Sequence, residues 1–156
     1  MRTGLVAAAL VLVMAGASSQ ISAQTAARPN FSGTWVQLAP GDGAGDEIVV
    51  THTAALLTQR HAAEGPDHVL RFYLDGATHP DDALNEGSGH EMKGTHKATW
   101  DGARLVIDQI TDYQSGFHRV AKSVWWLDDK GQLVVKVDSN LPDGSRLDVT
   151  VVYRKK

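Results

Sequence analysis

The chain of 156 residues contains no cysteine. That absence excludes disulfides, thiolate zinc and iron–sulfur sites, a cysteine nucleophile, and an acyl anchor on an N-terminal cysteine. A strong charge bias is also missing. The 15 Lys and Arg stand against 18 Asp and Glu, a formal charge of -3. This is too mild to argue for a nucleic-acid groove or a basic membrane surface. No apolar run reaches the roughly 20 residues that a spanning helix needs. No stretch repeats apolar residues at helical spacing. Several catalytic signatures are absent as well: no serine in a nucleophile-elbow sequence, and no His-Glu-x-x-His. The glycine-rich stretch 41–46 lacks the lysine of a phosphate loop, so it reads as a turn. With 42% hydrophobic and 21% charged residues, the chain has the make-up of a folded domain, long enough for one and short for two.

What is present begins with an export signal. Arg2 precedes an apolar stretch over 5–17, followed by small and polar residues. A positive start, a short apolar core and a small-residue exit predict a secretory signal peptide over 1–23, cleaved after Ala23. The remaining domain, 24–156, is then periplasmic or secreted, with no membrane span.

From there period-two alternation dominates, and it predicts nine strands: 31–37, 47–53, 56–62, 68–74, 90–100, 103–113, 117–127, 132–139 and 145–154. Short turns join most of them, Asp101-Gly102 being a hairpin signal and 75–89 the longest break. The fold class expected is all-β: an antiparallel up-and-down meander of eight to nine strands closed into a barrel, since open edges invite aggregation. Alternation also assigns faces. Leu147, Val149, Val151 and Tyr153 form one inward row. His52 sits with Ile48 and Val50, His68 with Leu70, Phe72 and Leu74. His90, His96, Ala98 and Trp100 form another such row, and Arg119 and Ser123 lie with Phe117, Ala121 and Trp125. The expected interior is apolar but carries histidines.

Asn30-Phe31-Ser32-Gly33-Thr34-Trp35 opens the first strand, and a basic cluster follows Tyr153 in the last. A Gly-x-Trp at this position resembles the signature of the lipocalins and the wider calycin superfamily, and the opening of many small exported bacterial β-proteins. The resemblance implies that Trp35 caps one end of a barrel with a basic residue packed over it, Arg154 being the expected partner. It further implies a cavity holding one small hydrophobic or aromatic ligand, lined by His52, His68, Phe72, Trp100, Phe117 and Trp125.

Two other readings stay open. A hairpin around 75–89 would place His68 beside His96, and a His-based metal-binding periplasmic protein would use such a pair. Across the other hairpins Tyr113 falls opposite His90, and Thr111 opposite Arg119. An interior histidine, His90 or His96, with Tyr113 as acid and Arg119 as anion holder suffices for a cofactor-free lyase or isomerase. No feature calls for a cofactor or sets an oligomeric state.

Overall fold

A computed structural model describes residues 27–38, 44–62, 69–81 and 93–156. The expected signal peptide lies outside the described residues, and so do His68 and His90. Ten strands form one antiparallel sheet: β1 Gly33–Gln37, β2 Glu47–His52, β3 Leu56–His61, β4 Val69–Tyr73, β5 Thr78–Pro80, β6 Lys93–Asp101, β7 Arg104–Asp112, β8 His118–Leu127, β9 Leu133–Asn140 and β10 Arg146–Lys155. Their spatial order is β4-β3-β2-β1-β10-β9-β8-β7-β6-β5, so the meander returns on itself where β1 pairs with β10. Strands β4 and β6 also lie against each other, which nearly closes the sheet into a barrel.

The strand count is ten rather than eight or nine because β5 falls within the break expected over 75–89. Three residues ending in proline carry no strand pattern. Proline is tolerated there because β5 is the edge of the ladder. This strand changes two expectations. His96 pairs in register with His79, not with His68. The chain also turns at 74–77 and returns, so β5 ends at the same end of the barrel as β1, where a hairpin from β4 would have left the chain at the opposite end.

A second correction concerns register. The β6–β7 hairpin pairs Asp101 with Arg104 and Lys93 with Asp112. The loop is therefore Gly102-Ala103, one step later than Asp101-Gly102, and Gly102 takes the positive φ of 58° that a primed turn requires. The ladder shifts by two, which keeps the side chains of Lys93–Asp101 and Arg104–Asp112 on their expected faces; the expected pairing of Tyr113 with His90 lies outside the described residues. The Thr111–Arg119 pairing across β7 and β8 is observed as expected.

The core follows the alternation. Trp35, Ile48, Leu57, Phe72, Ala98, Leu105, Ile107, Trp125, Leu133 and Tyr153 are all buried. One end of the barrel is plugged by rings: Phe31 stacks on Trp100 at 6.0 Å and meets Trp125 at 6.2 Å. Trp35 lies beneath them at 1% exposure, its indole N–H donating to the Phe31 carbonyl at 2.8 Å. The basic residue over Trp35 is Lys155, whose Nζ stands 5.6 Å from the ring centroid; Arg154 pairs with Val36 and takes the other face.

The glycine of the opening hexapeptide has a physical reason. Gly33 adopts φ +149°, and a Cβ there would come within 2.7 Å of Lys155 Cε. L-residues rarely take that backbone conformation, and the added carbon would displace the cation from Trp35. Gly33→Ala is expected to lower stability by about 1–3 kcal/mol in urea unfolding. A loss under about 0.5 kcal/mol, the size of an ordinary surface substitution, would show that neither effect holds.

Candidate functional site

Between the ring plug and the end formed by the start of β8 and the ends of β3 and β7, the barrel encloses a partly open cavity of about 380 Å³. That volume lies in the range of small-molecule sites, roughly 300–1,000 Å³. Its walls are built by alternation on seven strands. Ile48, Leu70, Phe72, Ala121, Trp125, Val135, Val137, Val151 and Tyr153 supply apolar surface, while Gln59, His61, Gln109, Thr111, Arg119 and Ser123 supply polar atoms. Leu147 and Val149, on the same face of β10 as Val151 and Tyr153, are exposed at 36% and 37%. The apolar lining therefore continues toward the barrel end instead of stopping at the cavity wall.

The polar atoms are held in place. Trp125 donates its indole N–H to Ser123 Oγ at 3.1 Å. Gln59 Nε2 and His61 Nε2 are 3.1 Å apart. Arg119 donates from Nε to Ser139 Oγ at 3.0 Å, and Ser139 is fully buried. Burial pushes the Tyr153 phenol above its usual value near 10, and the negative charge of Asp46 adds to the shift. Tyr153 is thus a neutral hydroxyl at any physiological pH.

The described residues of the expected ligand-binding and catalytic sets divide among four places. Phe72, Trp125 and Arg119 line the main cavity. His52 and Trp100 line a second, shallower pocket of about 320 Å³ at the plugged end, with Arg28, Pro29, Asn30, Thr53, Ala54 and Leu74. His96 sits in the seam between β4 and β6 at 1% exposure, its Nε2 accepting the Tyr73 backbone N–H at 3.1 Å. Tyr113 and Phe117 face each other across the β7–β8 turn, ring centroids 5.6 Å apart. The structure therefore does not gather His96, Tyr113 and Arg119 around one point. Among the described residues no three His, Asp or Glu side chains are grouped as a metal site.

His61, Gln59 and Gln109 were not singled out from the sequence. Parity from Leu57 would have found the first two, since residues 57, 59 and 61 share a face of β3. Gln109 lies between two inward residues of β7, Ile107 and Thr111, and the same count would have found it.

His52 is held by its neighbours in the neutral form. Its Nδ1 accepts the Phe31 backbone N–H at 3.1 Å, and its ring packs against both Phe31 and Trp100, at 5.4 and 5.9 Å. Burial lowers its pKa below the usual 6.5. A histidine that resists protonation when folded but accepts it when unfolded adds stability above its unfolded pKa, and that stability is lost as pH falls below about 6.5. Urea midpoints are therefore expected to drop from pH 7.5 to pH 5. In His52→Phe, which keeps the stack without the titrating nitrogen, the drop should be shallower. An equal slope in both proteins would remove His52 from the account.

No protein-family model matches the chain, and no curated protein matches it.

Proposed function

We propose that this chain is an exported, lipocalin-like binding protein that holds one small hydrophobic or aromatic molecule in the barrel cavity. The observation that carries the reading is the cavity of about 380 Å³ walled by Phe72, Trp125, Val135, Val151 and Tyr153. Apolar surface of that kind gains free energy when a ligand displaces its water, and few polar groups are needed to orient the guest. The ring plug at one end and the Gly33-Thr34-Trp35 opening support placing the chain with the lipocalin-like barrels. The expected signal peptide supports a periplasmic or secreted location, and an intact mass beginning at Gln24 checks it.

The test is native mass spectrometry of the mature protein purified from its own host, paired with binding of the uncharged fluorophore phenylnaphthylamine. A retained organic mass and saturable fluorescence are expected. Ala121 lines the cavity and is 5% exposed, so Ala121→Trp fills the space from within. With the barrel still folded by circular dichroism, that variant is expected to bind the fluorophore at least about tenfold more weakly. A filled variant that binds the fluorophore undiminished, or an empty native protein that binds neither this fluorophore nor its sulfonated analogue, overturns the reading.

A further inference from the structure

We infer that the ligand is an organic acid whose ionised group is seated on Arg119, with its apolar body against Phe72 and Trp125. This rests on the binding-protein reading above and names the chemical class of its guest.

Arg119 is the one permanently charged side chain among the cavity's described walls, and no carboxylate lines that space. Every acid that forms an ion pair among the described residues is paired with another base. The acids of the flanking strands β7 and β9 are turned away by alternation, and the buried Asp81 accepts the Gln109 Nε2 hydrogen at 3.3 Å. Asp112 is bound to His118 at 2.6 Å, and Asp138 is bound to Arg146, both on the outer face. The guanidinium is nevertheless anchored. Ser139, at 0% exposure, donates its hydroxyl hydrogen to the Asn140 carbonyl at 3.0 Å, so its oxygen accepts the Arg119 Nε–H. That leaves the four terminal N–H donors of the guanidinium beyond this contact. Thr111 lies directly opposite on β7 and is 4% exposed, placing a hydroxyl beside the same spot.

A half-buried cation with no ion-pair partner among the described residues keeps its hydration only while the cavity is wet. A neutral guest would strip that water and give nothing back, at a cost that offsets part of its apolar burial. An acid repays the desolvation with paired, charge-assisted hydrogen bonds to the fork of the guanidinium. Arg28, the cation at the second pocket, is differently placed. It lies over the Trp100 ring at 5.2 Å and is already engaged.

A matched pair of probes isolates the acid group: anilinonaphthalene sulfonate, and phenylnaphthylamine, the same rings without the sulfonate. Fluorescence titration of the wild-type protein is expected to show the sulfonate binding about tenfold or more tighter than the uncharged probe. In Arg119→Gln that preference should vanish through loss of sulfonate binding, with the uncharged probe changed less than about twofold. Arg119→Lys, which keeps the charge but not the fork, should retain part of it. Near-UV circular dichroism confirms the fold of each. Equal binding of the two probes by the wild type, or a preference that survives Arg119→Gln, overturns the inference and leaves the binding-protein reading standing. Failure of both probes to bind overturns that reading and the inference with it.

Discussion

Replacing Trp35 with alanine is expected to destabilise the barrel by about 3–5 kcal/mol, the range for a buried large aromatic side chain. Three contributions converge on this residue. Its ring is 1% exposed among core side chains, so truncation leaves a cavity that rigid strands cannot collapse into. Its indole N–H satisfies the Phe31 carbonyl at 2.8 Å, and losing that donor leaves a buried acceptor without it. Lys155 covers its face at 5.6 Å, a contact worth about 0.5–1 kcal/mol at an exposed site. Urea unfolding of three variants separates them. Trp35→Phe keeps most of the burial but not the N–H, and is expected to lose less than Trp35→Ala. Lys155→Gln should lose least. Small domains have only about 5–15 kcal/mol in total, so Trp35→Ala would be marginal at ambient temperature. If it unfolds at a urea concentration close to wild type, the ring plug does not close the barrel.

That plug shows how much could be read from residue order. Alternation placed Phe72, Ala98, Trp125 and Tyr153 inward without error, because a period of two survives any register shift by an even number. The β6–β7 ladder did shift by two, and the faces of its described residues stayed as expected. Trp35 and its basic cover were legible as a pair, but one residue of register decides between Arg154 and Lys155. Tyr153 was already assigned inward, and Lys155 follows it on the same face. Strand β5 was not legible at all. It is three residues long, ends in Pro80, and exists because β6 offers it an open edge. The cavity itself depends on how far ten strands curve, and side-chain order carries no measure of that. Arg119 was visible as an inward base, yet its lack of an ion-pair partner among the described residues needed the outward pairing of Asp112 and Asp138 to be seen.

The same strand explains why His96, chosen from the sequence as a candidate base, is better treated as part of the barrel wall. No ladder joins β4 to β6. Instead the His96 ring does the work of a strand partner: Nε2 accepts the Tyr73 N–H at 3.1 Å, and Phe72 meets the ring edge-on at 5.5 Å. On the other side, Tyr73 packs on His79 at 4.4 Å, and Asp75 fixes His79 through contacts of 2.9 Å. The imidazole must be neutral at Nε2 to accept, which sets the tautomer with hydrogen on Nδ1. His96→Leu keeps apolar volume but offers no acceptor, and is expected to cost about 1–3 kcal/mol. The loss should be local. Backbone amides of β4 and β5 should exchange faster with deuterium, while those of β8 and β9, held by long ladders on both sides, stay protected. His96→Gln, whose side-chain carbonyl can still accept, should recover part of the protection. Uniform loss across all strands would mean that the seam is not a separate unit. Unchanged exchange in β4 would mean that the Tyr73–His96 bond does not hold it. Because either variant perturbs the wall, a fall in activity or binding on changing His96 is no evidence that this histidine performs chemistry. Arg119, inside the cavity and away from the seam, is the residue whose replacement reads function.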